Sequence, residues 1–297
     1  MPNFGETERY IKSLFCVGKY FSYDGINCKV LKCGKPAPNS GECKTDVYVL
    51  TQDEQGTQKE FKISVKQDNA DFLENKTSLE RAIEILGKDA QTIIKNCTNS
   101  IKDKFESDYL IYFKAVGRTE ALCVKIGWKY ELLNKPGGEK SREITLTDQQ
   151  KIDIYAGSNL DESKKNCSVN GEIINDSGVA NFIINVDKDG QSLDYYLERM
   201  KTIEDFATKQ NIYFACKALN YRCSRDKWDG NRPLAVYVDW ILKDDKLYSS
   251  LVFENPLSTK GNEIGEKIRQ ILSQLKITKD NFDDLKKYLS DGINYIE

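Results

Sequence analysis

The chain has 297 residues, of which 44 are lysine or arginine and 46 are aspartate or glutamate, so its formal net charge is −2. This near-neutral charge argues against a globally basic nucleic-acid-binding protein, although a local basic cleft is enough for phosphate contact. The chain has no histidine, which excludes Ser-His-Asp and Cys-His catalysis, His-ligated zinc and a histidine general base. An enzyme of this composition has to work with carboxylates, lysine, tyrosine, cysteine or a metal.

The predicted elements mix helices and strands, which indicates an α/β (α+β) fold in one domain or two. In chain order they are a helix at 4–15, strands at 26–33, 44–49 and 59–66, helices at 77–87 and 89–105, strands at 110–113 and 121–126, short strands or turns near 152–156 and 180–186, a helix at 192–209, strands at 211–219, 234–243 and 247–253, and helices at 262–274 and 278–294.

The best candidate for a linker or exposed loop is 134–140, which contains Pro136, Gly137 and Gly138. Proline and glycine break regular structure, so a domain boundary is expected in such a segment. We therefore predict a first region at 1–133 and a second at 141–297. The two can also pack together as one globular unit.

The nine cysteines include no Cys-x-x-Cys pair. Their spacing does not match a usual zinc knuckle, so we expect free thiols in a reducing compartment. No hydrophobic signal segment begins the sequence, and no run approaches the roughly 18 apolar residues of a membrane span. These features predict a cytoplasmic protein without a membrane partner.

The strands at 44–49 and 59–66 carry the candidate site. In the second strand, apolar residues alternate with polar ones, which predicts one buried face and one polar face. The polar face carries Glu60, Lys62, Ser64 and Lys66. The connection at 52–58 is polar and contains glycine, so we expect a hairpin that brings Asp46 close to this face. The sequence does not fix the pairing register, which decides which of the four residues Asp46 approaches.

An aspartate at a strand start, a short spacer and then (D/E)xK on the next strand is the signature of PD-(D/E)xK nucleases, and this strand pair resembles it. Glu60-Phe61-Lys62 matches the motif literally, whereas in Ser64-Val65-Lys66 a serine stands where the motif has an acid. We prefer Asp46 with Ser64 and Lys66, because the run at 63–72 resembles restriction enzymes in which such a strand end leads into a polar loop. Glu60 and Lys62 remain the alternative catalytic pair.

The resemblance implies a mixed central sheet flanked by helices and a Mg²⁺-dependent enzyme of the type II restriction endonuclease class. Asp46 would bind the metal, joined by Glu60 in the literal register. An N-terminal helix often supplies another carboxylate in this family, which here would be Glu6 or Glu8. The alternative for these two acids is that they complement the dipole of their helix. Lysine would stabilise the charge that develops on the phosphate, and the serine leaves the number of metals open.

Two segments are candidates for contact with double-stranded DNA. The first, at 220–233, is predicted as a loop between strands and contains Arg222, Arg225, Lys227, Trp228 and Arg232. Arginine can bind guanine through two hydrogen bonds, and an aromatic ring can stack on a base. The second follows the proposed catalytic strand and contains Gln67, Asn69 and Lys76. For the first segment the alternative is a solvated connection whose aromatic side chains pack on the core, and for the second it is an ordinary polar surface.

The resemblance also implies a two-fold homodimer on a palindromic site and a cognate DNA methyltransferase as genetic partner. Two other interpretations remain open. One is a PD-(D/E)xK nuclease of repair or defence without tight site specificity. The other is a non-catalytic DNA-binding or protein-binding protein in which the motif arises by chance.

Overall fold

The computed structural model describes residues 4–67, 72–74 and 77–297. Its α-helices are α1 (Phe4–Leu14), α2 (Leu79–Leu86), α3 (Ala90–Asn99), α4 (Lys102–Glu106), α5 (Asp148–Ala156), α6 (Glu162–Lys165), α7 (Leu193–Leu197), α8 (Ile203–Ala207) and α9 (Gly261–Gln274), with 3-10 helices at Cys223–Arg225 and Phe282–Tyr288. Among the described residues, no helix has the length and apolar character needed to cross a membrane.

The strands are β1 (Tyr20–Tyr23), β2 (Ile26–Gly34), β3 (Val47–Gln52), β4 (Gln58–Gln67), β5 (Phe72–Glu74), β6 (Ile111–Tyr112), β7 (Cys123–Leu133), β8 (Ser141–Glu143), β9 (Cys167–Val169), β10 (Glu172–Ile174), β11 (Phe182–Val186), β12 (Met200–Thr202), β13 (Tyr213–Arg222), β14 (Lys227–Trp228), β15 (Val236–Lys243), β16 (Lys246–Val252) and β17 (Tyr295–Ile296). The fold is therefore mixed α and β, as the sequence predicted.

The chain forms two compact units. Unit 1 comprises the described residues of Met1–Ala70 together with Glu84–Gly87 and Thr145–Gln210, and unit 2 comprises those of Asp71–Ile83, Lys88–Ile144 and Asn211–Glu297. This division differs from the predicted regions at 1–133 and 141–297, because the chain passes between the units more than once. The segment 134–140 lies inside unit 2, where the strands on either side of it, β7 and β8, both pair with β13.

The main sheet of unit 1 has the strand order β1-β2-β3-β4-β11-β12. It is mixed, because β4 and β11 are parallel while the other neighbours are antiparallel. The predicted hairpin of β3 and β4 is present. Its turn is fixed by Asp53, whose carboxylate accepts hydrogen bonds from the N–H groups of Gln55 (2.9 Å) and Thr57 (2.8 Å). Gly56 in this turn has φ 86°, a conformation that glycine adopts without steric cost.

One face of the unit 1 sheet forms a hydrophobic core with α1. Alternating apolar residues of β3 and β4 belong to this core, together with Ile11 of α1 and with Phe15, which follows this helix directly. An aromatic cluster lies at its centre, where the ring of Phe61 is 5.1 Å from that of Tyr23 and 5.1 Å from that of Phe182. The polar side chains of β4 therefore project from the other face of the sheet.

The main path of the unit 2 sheet has the order β14-β13-β7-β15-β16. Strand β7 is buried along nearly its whole length, as expected for a strand covered on both faces. Trp128 and Trp240 are both fully buried, and the indole N–H of Trp240 donates to the carbonyl of Lys125 at 2.8 Å. Helix α9 packs against this sheet.

Residues 152–156 do not form the predicted strand or turn, because they lie in α5. The helix begins with a capping box, in which Thr147 accepts a hydrogen bond from the Gln150 N–H and the Gln150 side chain accepts one from the Thr147 N–H. Gly157 ends the helix at φ 82°.

Three predicted helices are also different in the structure. The segment 192–209 contains two short helices, α7 and α8, because β12 between them pairs with β11. The segment 89–105 is divided into α3 and α4. The segment 278–294 contains only a 3-10 helix, preceded by a turn in which Thr278 donates to the side chain of Asn281 from its N–H (2.7 Å) and its hydroxyl (2.9 Å).

We predict that Phe61→Ala destabilises unit 1, because the removed ring is fully buried among aromatic neighbours. The expected loss is about 3–5 kcal/mol in the free energy of unfolding, measured by urea denaturation. Tyr20→Ala is the control, because Tyr20 lies in the same sheet but is 58% exposed, and it should change stability by about 0.5 kcal/mol or less. Equal effects of the two substitutions would contradict the placement of the core.

Candidate active site

Asp46 lies directly before β3, beside the end of β4. Its N–H donates to the carbonyl of Ile63 at 2.8 Å, and its carboxylate accepts a hydrogen bond from the N–H of Val65 at 2.7 Å. Because Val47 pairs with Ile63, the next position places Asp46 beside Ser64. The carboxylate is thus held at the strand end that carries Lys66.

The residues before Asp46 are anchored to the loop that precedes β11. The N–H groups of Lys44 and Thr45 lie 3.0 and 3.3 Å from the carbonyl of Gly178. A Cβ atom at Gly178 would lie only 2.0 Å from the carbonyl oxygen of Lys164, so a larger residue would displace this loop. The approach of the chain to Asp46 therefore depends on glycine at this position.

Burial is the main influence on Asp46, and it raises the pKa of the carboxyl group. The positive charge of Lys66, the hydrogen bond from Val65 and the positive charge of Lys35 each lower this pKa. The negative charge of Glu8 raises it further. Glu8 lies on α1 and forms an ion pair with Lys35, which follows β2 directly. Two carboxylates and two ammonium groups therefore interact electrostatically at this end of the sheet: those of Asp46 and Glu8, and those of Lys35 and Lys66.

Ser64 and Lys66 lie on β4, and neither side chain has a hydrogen bond or ion pair with a described residue. Ser64 is 1% exposed, and within the described chain its hydroxyl has no hydrogen-bond partner. The structure likewise gives the Lys66 ammonium neither a hydrogen bond nor an ion pair with a described residue, although its charge acts on Asp46. A buried hydroxyl without a partner costs free energy, which makes this position a candidate for contact with a bound group.

Glu60 and Lys62 belong to a separate cluster with Tyr48. The Tyr48 hydroxyl donates to Glu60 at 2.5 Å, and the Lys62 ammonium lies 3.8 Å from the Glu60 carboxylate. Lys62 pairs with Tyr48 and Glu60 with Leu50, so both lie further along the hairpin from Asp46 than Ser64 does. Neither is among the charges with the largest effect on Asp46. The structure therefore brings Asp46 together with Ser64 and Lys66, and not with Glu60 and Lys62.

Of the two acids considered on α1, Glu8 and not Glu6 is among the main influences on Asp46. Glu6 is exposed on the first turn of the helix. Gln67, a candidate for DNA contact, donates through its side-chain amide to the hydroxyl of Thr7 at 3.1 Å. The candidates Asn69 and Lys76 lie outside the described residues.

Two arginines of the segment 220–233, Arg222 and Arg225, are held by acids within unit 2. Arg222 donates to Asp229 at 2.6 Å and lies 3.0 Å from Glu120, which also binds Arg225 at 2.9 Å. Their guanidinium groups are therefore engaged in ion pairs, a different arrangement from the open, base-reading loop that the sequence suggested.

The other candidates in this segment are of two kinds. Trp228 packs on α9, where a Cβ atom at Gly265 would lie 2.9 Å from the indole and the guanidinium of Arg269 lies 4.6 Å from the ring centroid. Lys227 and Arg232 are exposed. This outcome matches the alternative in which the aromatic side chain packs on the core.

Asp46 and Glu8 are the residues at this site that can hold a metal. Among the described residues, no group of three or more histidine, cysteine, aspartate or glutamate side chains is arranged to bind a metal ion. Mg²⁺ usually keeps several waters and binds through one or two carboxylates, so two acids are sufficient for it.

Sequence reasoning missed Lys35 as part of this site. The residue follows directly after a predicted strand, but only the pairing of β2 with β3 and the packing of α1 bring it to Glu8.

Comparison with protein-family models, with curated proteins and with solved structures finds no match for this chain.

We predict that Asp46→Asn stabilises the protein at neutral pH. A raised pKa means that the folded state binds the proton more tightly than the unfolded chain, so the wild type loses stability as the pH rises from the ordinary value of 3.8 through the raised pKa. Asparagine can still accept the hydrogen bond from Val65 but carries no charge. Urea denaturation over a pH series should therefore show the two proteins alike in acid and the variant more stable above this range.

The control for this measurement is Asp24→Asn at an exposed turn with φ 56°, a conformation that asparagine tolerates. It should not reproduce the pH-dependent difference. A wild type that gains stability over Asp46→Asn as the pH rises would show that Asp46 is stabilised in its charged form, contrary to this account.

Proposed function

We propose that the protein is a Mg²⁺-dependent endonuclease that hydrolyses phosphodiester bonds in double-stranded DNA, of the type II restriction endonuclease kind. The observation that carries the proposal is the pairing of β3 and β4, which brings the carboxylate of Asp46 to the strand end that carries Lys66. The mixed sheet and the helix α1 on one of its faces support the proposal, because the PD-(D/E)xK resemblance implies such a core.

Asp46 and Glu8 would hold the metal ion. A bound Mg²⁺ would polarise a phosphate oxygen and lower the pKa of a coordinated water. The raised pKa of Asp46 supports this assignment, because burial and the charge of Glu8 both disfavour its ionised form, and a nearby cation would offset both effects. Lys35 would position Glu8 through their ion pair.

Lys66 would stabilise the negative charge that develops on the phosphate during hydrolysis. Its ammonium has no hydrogen bond or ion pair with the described chain, so it can turn towards a substrate oxygen without breaking an existing contact. Positioned charges of this kind typically contribute about 3–4 kcal/mol to transition-state stabilisation. Ser64 would occupy the place of the acid in the motif, which leaves two carboxylates at the site and suits a single Mg²⁺.

We expect Asp46→Ala and Lys66→Ala each to reduce the rate of plasmid cleavage by about 10²-fold or more, because each removes a charge from the reacting centre. The measurement is the conversion of supercoiled plasmid to nicked and linear forms with Mg²⁺, compared with the same reaction in a chelator. Lys62→Ala and Glu60→Gln are matched controls on the same strand and should remain close to the wild type.

Circular dichroism should show that all four variants are folded. Loss of cleavage in Lys62→Ala with retention in Lys66→Ala would move the site to the other register. A wild type that leaves plasmid intact with Mg²⁺ would contradict the proposed activity.

A second form of the proposal is a nuclease of repair or defence without tight site specificity. The ion pairs of Arg222 and Arg225 with Glu120 and Asp229 favour it, because these guanidinium groups have to leave their acids before they can read a base edge. Discrete bands in the digest would support site-specific cleavage, whereas a smear would support the second form. The homodimer and the partner methyltransferase belong to the site-specific form and stay predictions.

A further inference from the structure

A pocket of about 290 Å³ lies on the sheet of unit 1 next to the candidate active site. Two of its lining residues, Ile183 and Asn185, belong to β11, which pairs with β4 in parallel. Ile183 lies beside Ser64 and Asn185 beside Lys66. Because paired residues on neighbouring strands project from the same face, the pocket opens on the face that carries Ser64 and Lys66.

The pocket has an apolar wall and mixed charges. Phe206 lines it and packs edge-on against Tyr155 with ring centroids 5.2 Å apart. Arg199 lies over the ring of Tyr195 and 3.8 Å from both Asp187 and Glu198, so these two acids already face a cation.

Two polar groups in the pocket have no partner in the described part of the chain. The side-chain amide of Asn185 and the ammonium of Lys201 have neither a hydrogen bond nor an ion pair with any residue that the structure describes. Lys201 lies on β12 opposite Ile183 and is exposed. Together with Lys66 on β4, these groups form a line of unpartnered donors across three adjacent strands.

We infer that this pocket is the subsite for the DNA backbone next to the scissile phosphate, with Lys201 bound to a neighbouring phosphate and Asn185 bound to sugar or phosphate oxygens. The inference rests on the proposed function, because the strand has to pass Asp46 and Lys66 first. Neighbouring strands lie about 4.8 Å apart, so β4 and β12 are separated by about 10 Å. A backbone segment that contacts both Lys66 and Lys201 therefore has to span at least roughly 10 Å.

The size of the pocket also suits a backbone segment. Small-molecule pockets begin at roughly 300 Å³, so this one can take a sugar with its phosphate but not a duplex. The free charge at Lys201 provides the attraction for a phosphate, and Phe206 provides an apolar surface for the sugar.

The test is DNA binding measured by fluorescence anisotropy on a labelled duplex, with Ca²⁺ in place of Mg²⁺ and over a series of salt concentrations. Loss of one phosphate contact reduces the slope of log K against log salt by about 0.9. We expect this reduction in Lys201→Ala and not in Lys29→Ala, a matched control because Lys29 is exposed on β2 of the same sheet. Asn185→Asp should bind about tenfold more weakly than Asn185→Ala, because the new carboxylate would repel phosphate.

The outcomes separate the subsite from the proposed function. If the wild type cleaves plasmid but Lys201→Ala keeps the wild-type slope, or Lys29→Ala loses as much, the subsite is wrong and the nuclease proposal stands. The same conclusion follows if Asn185→Asp binds as tightly as Asn185→Ala. If the wild type neither binds nor cleaves DNA, the proposed function fails and the subsite fails with it.

Discussion

The arrangement of the candidate site depends on one hydrogen bond, which the N–H of Val65 donates to the carboxylate of Asp46 at 2.7 Å. It holds the carboxylate of Asp46 at the point where the chain enters β3 beside the end of β4. The same carboxylate therefore has a structural role in joining the two strands and a chemical role beside Lys66. An asparagine at this position can keep the first role while it loses the second.

The charges around Asp46 explain why this end of the sheet is suited to bind a cation. Glu8 and Lys35 largely compensate one another through their ion pair, whereas Asp46 has no direct ion pair with a described residue and is subject to burial. A buried acid with a raised pKa is costly to ionise unless a positive charge approaches it. Strongly perturbed acids in such settings are frequent at functional sites, but they also occur in purely structural clusters. Within the described chain the Lys66 ammonium has no hydrogen bond or ion pair, which distinguishes this site from the cluster of Glu60, Lys62 and Tyr48, whose polar groups bind one another.

The hairpin could be predicted from the sequence, because strict alternation in β4 and the polar turn at 52–58 both carry local information. The pairing register could not be predicted. Lys62 and Lys66 are an even number of residues apart and share a face of the strand, so the alternation of polar and apolar residues does not show which lysine lies beside Asp46. The register depends on the turn that Asp53 organises and on the bond between Asp46 and Val65.

Contacts between residues that are distant in sequence are the second feature that could not be predicted from the sequence. The approach of Glu8 and Lys35 to Asp46 needs the packing of α1, and the acid that holds Arg225 is Glu120, more than a hundred residues away. By contrast, the capping box of α5, with Thr147 and Gln150 followed by Gly157, is a local signal. The helix at 148–156 could therefore have been predicted and was missed.

The most direct test of the site is a crystal structure of the protein grown with Mn²⁺, with anomalous diffraction to locate the metal. The account predicts a peak at about 2.0–2.1 Å from a carboxylate oxygen of Asp46, the range of Mg²⁺ coordination, with Glu8 as a direct or water-mediated ligand and Lys66 on the open side. A metal bound at Glu60 instead, or no peak near Asp46 at a saturating concentration of Mn²⁺, would contradict it.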